Sequence, residues 1–195
     1  MSERTKLLTP VSRRSFFFGA AAVGVALLTD GPQALAGTRV SPLPGTDSGW
    51  LELFNTHTAE SLQVVYRSTE GLVTSAVERL QWLLRDHRSG EAAQIDSGLY
   101  DQLAALASAA GVEPRFEVIS GYRSPRTNAS LQAAGRGVAT RSLHMQGRAI
   151  DVRLRGVPTS TLRDLALAAG RGGVGYYRRS DFVHLDTGRI RHWAG

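Results

Sequence analysis

The sequence predicts an α+β fold: a single domain with a small, mostly antiparallel sheet flanked by helices. Three observations carry that expectation. Apolar residues recur at every second position in some stretches and at roughly every 3.6 positions in others. The two kinds of stretch are interleaved without the regular strand–helix–strand repeat of a parallel α/β protein. A chain of 195 residues, 42% hydrophobic and 21% charged, also suits one compact domain whose core needs no covalent staples, which matters because it has no cysteine.

The elements follow in chain order. "GTRVSPLPGTDSG" (37–49) is rich in Gly, Pro, Ser and Thr and reads as a linker, so the domain is expected over 50–195. "WLELFNTHT" and "SLQVVYRS" alternate in part and predict a β-hairpin at the domain edge. Val73, Val77, Leu80 and Leu84 then recur at helical spacing, predicting a helix through "LVTSAVERLQWLLRDHRSG" with Gly90 as its stop. A second helix is expected from about Ser97 to Ala110, with Asp96 as N-cap and Gly111 as terminator. "RFEVISGYRS" sets Phe116, Val118 and Ser120 against Glu117 and Ile119, a short strand ending in a turn at Gly121. A helix starts near Pro125, since proline is tolerated in a first turn. Strand "AIDVRL", helix "PTSTLRDLALAAG" and a closing pair, "GVGYY" and "FVHLDTG", complete the run.

Residues 1–36 have another character. Arg13 and Arg14 precede an apolar run from Phe16 to Leu28, and "ALA" ending at Ala36 offers small residues for a signal peptidase. The run of 13 residues is shorter than the roughly 20 that span a bilayer as a helix. The segment looks like a twin-arginine (Tat) export signal, with an uncleaved anchor as the alternative. Export implies a periplasmic or cell-envelope location, contact with membrane only through that segment if uncleaved, and a monomer is expected.

Composition removes several chemistries. Without cysteine there is no thiol nucleophile and no thiolate metal site, and the only lysine, Lys6, lies in the export segment, which rules out a Ser-x-x-Lys peptidase. Charge is unevenly placed: residues 37–114 hold five arginines against ten acids, whereas 115–195 hold fourteen arginines against five, a net of +9. A basic half suits an anionic partner. Export argues against nucleic acid, and aromatics are too scattered for a base-stacking platform.

The densest chemistry lies in "RSLHMQGRAIDVRLRG", 141–156, where His144 and Asp151 stand seven positions apart. A hydrolytic zinc site needs three nitrogen or oxygen ligands and one open position. Here the ligands must be His, Asp or Glu; His144 and Asp151 supply two, and His184 in "DFVHLDTG" offers a third from another strand. Gly147 and Ala149 are small enough to let the backbone bend between the first two. Ser142, His144, Gly147, Ala149 and Asp151 together spell S-x-H-x-x-G-x-A-x-D, a pattern expected by chance at a given start on the order of once in a million.

That pattern resembles the motif of the M15-type zinc peptidases, the D-Ala-D-Ala dipeptidase and carboxypeptidase group. The stretch from about Leu51 to Trp193, with "FNTHTAE", "LLRDHRSG", "SGYRSP", "GVGYY" and "FVHLDTG", is similar to the YcbK-like murein endopeptidase branch, once catalogued as a domain of unknown function. The resemblance implies a hedgehog/D,D-peptidase type of fold, one zinc ion on His144, Asp151 and His184, and a metallopeptidase that cleaves peptidoglycan stem peptides. It favours cross-links, D-Ala to diaminopimelate or between two diaminopimelates, over trimming as a D,D-carboxypeptidase. A non-catalytic zinc-containing peptidoglycan-binding module is the remaining reading.

Arg123 in "SGYRS" matches a family arginine that stabilises charge on the scissile carbonyl. The family's general base, a glutamate three before the last histidine, corresponds to Asp181, one methylene shorter. Asp186, two after His184 and on the same strand face, is the rival base or an acceptor that orients a ligand. Ser142 is expected to support the site through a hydrogen bond. His57, His87 and His192 read as structural, His87 near a helix end where a partly positive imidazole suits the dipole.

Overall fold

A computed structural model of the chain describes residues 49–195. The expected export segment, 1–36, and the expected linker up to residue 48 lie outside the described residues. Eight strands are present: β1 Gly49–Asn55, β2 Ser61–Ser68, β3 Gly71–Leu72, β4 Arg115–Ser120, β5 Ala149–Leu154, β6 Gly173–Tyr177, β7 Phe182–Asp186 and β8 Arg191–Ala194. The helices are α1 Thr74–Leu83, α2 Ser97–Ala109, α3 Pro125–Ala133 and α4 Thr159–Ala169, with a 3-10 helix at Leu143–Gln146. One sheet takes all eight strands in the order β3-β2-β1-β4-β5-β7-β6-β8. Five neighbour pairs are antiparallel; β1 with β4 and β6 with β8 are parallel. The fold is α+β as expected, but the sheet is larger and more mixed than the sequence suggested, and β3 and β8 were not expected.

Local chemistry accounts for the helix ends. The Asp96 carboxylate accepts the Gly98 N–H at the start of α2, and the Ser124 hydroxyl accepts the Thr127 N–H at the start of α3, where Pro125 fills a first-turn position. The first helix corrects the expectation, because α1 closes at Leu83 and not at Gly90. Asp86 is the reason. Its carboxylate accepts the backbone N–H of Arg88 and, 38 residues away, of Ser124, while its carbonyl accepts the Gly90 N–H. A buried carboxylate with such partners fixes a turn where periodicity alone would continue the helix.

Strand alternation divides the sheet between core and site. Ile150, Val152 and Leu154 of β5 and Val183 and Leu185 of β7 enter the core with Leu99 and Leu103 of α2 and Leu162 and Ala166 of α4. Burying each such side chain is worth about 1.5–3 kcal/mol, so the register that pairs Ile150 with Leu185 and Val152 with Val183 is strongly held. Alternating with those pairs, the same register sets Asp151 directly opposite His184, and Ala149 opposite Asp186, on the other face.

Candidate metal centre

The first donor sits on the 3-10 helix. His144 is buried there, and its Nδ1–H donates to the Gly121 carbonyl at 2.8 Å, beyond the end of β4. A carbonyl only accepts, so Nε2 is left with its lone pair turned inward. Gly147 closes the 3-10 turn with φ +63, and a Cβ there would come within 2.0 Å of the Gln94 carbonyl oxygen, so no other residue fits.

The other two donors come from facing strands. The His184 Nδ1 lies 2.8 Å from Asp151 Oδ1 and 3.2 Å from His144 Nε2, and the third edge, His144 Nε2 to Asp151 Oδ1, is 3.4 Å. On its outer side His184 Nε2 donates to Asp186 Oδ2 at 3.2 Å. Asp186 is fully buried and also accepts from the Gly173 and Gly188 amides and from Arg191, at 2.6 Å to the nearer nitrogen. Gly173 is required by this approach, because a Cβ would meet Asp186 Oδ2 at 2.3 Å.

Electrostatics follow the contacts. Burial alone would raise the Asp151 carboxyl, but the His144 and His184 imidazoles outweigh it and hold it well below the usual carboxylate range. Burial would likewise lower His184, yet the hydrogen bonds to Asp151 and Asp186 push it up to about 9. The same reversal holds Asp186 low, through His184, Arg191 and two backbone amides. Three inward-facing donor atoms therefore share a pocket that favours a positive charge at its centre: a proton on His184, or a cation in its place.

The donor set fits a divalent ion. Nitrogen and oxygen ligands at about 2.0–2.2 Å in a tetrahedron lie about 3.3–3.6 Å apart, close to the longer two edges measured here, and each imidazole already has its outer N–H bonded, as metal-binding histidines do. Among the described residues this is the group of three that could hold a metal.

The centre forms the floor of a cleft of about 730 Å³ that also takes in Arg123, Arg136, Arg141, Tyr177, Phe182 and Trp193. Arg123 lies just past β4; its Nε is buried without a protein partner and its Nη1 is 3.5 Å from Asn128 Oδ1. Tyr177 stacks on Phe182 at 4.5 Å and accepts a hydrogen bond from Trp193 Nε1, and the Trp193 ring lies 5.1 Å from that of His184. Sequence reasoning missed Arg191 and Trp193, which share a face of β8. A basic–polar–aromatic alternation in "RHW" was the available signal.

Other expectations need correction. Asp181 does not reach the cleft. In the left-handed region at φ +50, it accepts from Thr159 Oγ1 at 2.6 Å, pairs with Arg153 at 3.4 Å, and lines a smaller hollow with Glu117. Arg153 follows Asp151 by two residues on β5, so Asp181 is held roughly 7 Å further along the strand direction. Asp186 has its oxygens taken up by donors and fits the orienting role. Ser142 is buried beside the centre, but its side chain does not cap the 3-10 helix; its carbonyl accepts the Met145 N–H instead. His87 is not a dipole-stabilised cation at a helix end. It follows the end of α1 and stacks on His57 at 3.9 Å, and burial, with the His57, Arg88 and Arg123 charges, lowers it to about 4. His192 is exposed on β8.

Two histidines and a carboxylate converging beneath an open cleft, with a guanidinium held in reserve, is the layout of a metal-dependent peptidase. Comparison with known sequences places the chain within that class. It belongs to the family Peptidase_M15_2, described as Peptidoglycan L,D-endopeptidase MepK, whose profile matches residues 44–193. The chain is 40% identical over 181 residues to Peptidoglycan L,D-endopeptidase MepK of Escherichia coli (strain K12), covering 93% of this chain and 96% of that protein. It is 34% identical over 184 residues to the Probable peptidoglycan L,D-endopeptidase MepK of Haemophilus influenzae, covering 94% and 95% respectively. No solved structure gave a significant match.

Proposed function

We propose that this chain is a zinc-dependent peptidoglycan endopeptidase, built on a hedgehog/D,D-peptidase type of fold, that hydrolyses cross-links between stem peptides. The observation that carries this reading is the three-donor centre, with each imidazole tethered from outside, on the floor of a cleft in a chain of this family. His144, Asp151 and His184 hold the ion. When bound, zinc supplies Lewis-acid polarisation of a carbonyl and makes water acidic near neutral pH. The Gly121 carbonyl and Asp186 keep the inner nitrogens aimed, and Arg191 balances the Asp186 charge. Arg123, with Nε free of protein partners, receives the negative charge that develops on the scissile carbonyl oxygen. Asp181 anchors the turn leading into β7 and thereby positions His184.

The relatives are named for an L,D bond. A cross-link between two diaminopimelates joins an L-centre carbonyl to a D-centre amine, and that is the bond assigned here. A second reading, a zinc-containing binding module without turnover, draws on one fact: Asp151 is the sole side-chain carboxylate among the cleft-lining residues. Incubating the purified protein with cross-linked sacculi, with and without chelator, separates the readings by mass spectrometry. Chelator-sensitive loss of diaminopimelate cross-links is expected; release of free D-alanine indicates a carboxypeptidase, and wall affinity without products indicates a binder. We also assign 1–36 as a Tat-type signal and 37–49 as a linker, so that the enzyme works in the periplasm or cell envelope. Replacing Arg13 and Arg14 by lysine is then expected to strand it in the cytoplasm. No helix of the described residues is long and apolar enough to cross a membrane.

A further inference from the structure

The cleft is chemically lopsided. Tyr177, Phe182 and Trp193 form one continuous aromatic surface, while Arg123, Arg136 and Arg141 bring three guanidinium groups without an acidic partner among the described residues. The fourth arginine of the cleft, Arg191, is already bound to Asp186. Arg136 and Arg141 lie on the segment joining α3 to the 3-10 helix, and both are exposed. Gly135 and Gly137 flank Arg136 with φ of +67 each, a left-handed turn that carries Arg136 out from α3.

This segment is tied down. Asn128 Nδ2 donates to the Ala139 carbonyl at 3.1 Å and Gln132 Nε2 to Thr140 Oγ1 at 3.1 Å, so two residues of α3 hold the loop from behind. Asn128 is buried and its other amide atom faces Arg123, which links the loop to the cation next to the centre. The two outer arginines are thus presented from a fixed backbone at the cleft and have no anion of the described residues to satisfy them. A planar guanidinium fork matches a carboxylate in two-point fashion.

We propose that Arg136 and Arg141 form a subsite for a free carboxylate of the diaminopimelate beside the scissile bond, so that the protein distinguishes free-acid from amidated stem peptides. The inference rests on the peptidase reading above for its substrate. In the cross-link assigned above, the diaminopimelate that supplies the amine keeps a carboxylate on the carbon bearing the bonded nitrogen, whereas amidation removes the charge and leaves the shape almost unchanged. Arg123, deeper and nearer the centre, stays available for the carbonyl oxygen, so the two kinds of negative charge go to separate cations.

The test compares two cross-linked dimers that differ only in amidation of the diaminopimelate carboxylates. Equilibrium binding to the full protein and kcat/KM are both measured. Wild type is expected to favour the free acid by roughly tenfold in each, the lower end for a charge-assisted contact because these side chains are exposed. In Arg136→Gln/Arg141→Gln the preference is expected to fall to near unity, through KM and not kcat. Arg79→Gln/Arg171→Gln removes the same charge outside the cleft and is expected to keep it. Equal handling of the two dimers by wild type overturns the proposal. So does a preference that survives the cleft substitutions, or one lost equally in the control, which would mark a general field. Selective binding that depends on Arg136 and Arg141 but yields no cleavage would sink the peptidase reading and leave the carboxylate subsite standing.

Discussion

Two pairs of histidines lie in this molecule, and they differ in every respect except closeness. His57 and His87 stack nearly face to face, 3.9 Å between ring centres and 11° between planes, with no carboxylate of the described residues bound to either ring. His144 and His184 meet edge-on at 66°, share Asp151 between them, and each has its outer N–H bonded, one to a carbonyl and the other to a buried carboxylate. The surroundings act in opposite directions on one ring of each pair: His87 is lowered to about 4 and His184 raised to about 9. Closeness of imidazoles is therefore not what marks a candidate metal centre. A shared anion in front and an acceptor behind set the second pair apart.

That contrast can be broken most directly by removing one ring at a time. His184→Ala is expected to abolish stoichiometric metal and lower sacculus digestion by more than about 100-fold, beyond the range seen when only an outer partner is lost. His57→Ala is expected to keep one ion per chain by elemental analysis; loss of the ion there would erase the distinction. Next in size is Asp186→Asn, which leaves the three donors in place but weakens the tether on His184. Competition with a metal-sensitive dye is expected to show affinity reduced by about 10- to 100-fold. Unaltered affinity would mean that the outer carboxylate is not what aims the ring.

The stacked pair makes its own prediction with acid. The folded-state value for His87 lies below the ordinary 6.5, so the unfolded chain takes up the proton first. The stability contributed by the neutral ring is present above about 6.5 and is lost as pH falls toward about 4. Allowing for partial exposure, the loss amounts to about 1 kcal/mol, read from urea melts at pH 7 and pH 5. His87→Phe is expected to flatten that part of the profile, and an unchanged slope would assign it to other groups. The smallest effect belongs to Asp181→Asn, where losing the Arg153 pairing is expected to cost about 0.5 kcal/mol and to lower turnover only modestly. A collapse of turnover with metal retained would restore Asp181 to the chemistry.

Much of the centre was legible because its signals are local. The spacing from Ser142 to Asp151 is a backbone requirement: a tight 3-10 turn, a left-handed glycine under the Gln94 carbonyl, then a strand. The alternation of His184 and Asp186 on one face likewise needed only a regular strand. Asp96 and Gly111 marked the bounds of α2 to within a residue. What escaped depended on distant partners. The end of α1 is set by Asp86 reaching Ser124, and no periodicity records that bond. β8 pairs in parallel with β6 over four residues, too short and too remote to announce itself, so Trp193 and Arg191 were missed. Asp181 was aligned by position to a family base, but its left-handed backbone and the arginine on β5 turn it aside.

The direct opposition of Asp151 and His184 has a consequence for a member of a peptidoglycan-degrading family. Both side chains are aligned by the same ladder that aligns Val152 with Val183 and Ile150 with Leu185. A slip of one residue would present Val183 to the aspartate and turn the histidine inward. Any form of the chain with its strands misaligned is thereby disarmed, and destructive capacity arrives only with correct assembly.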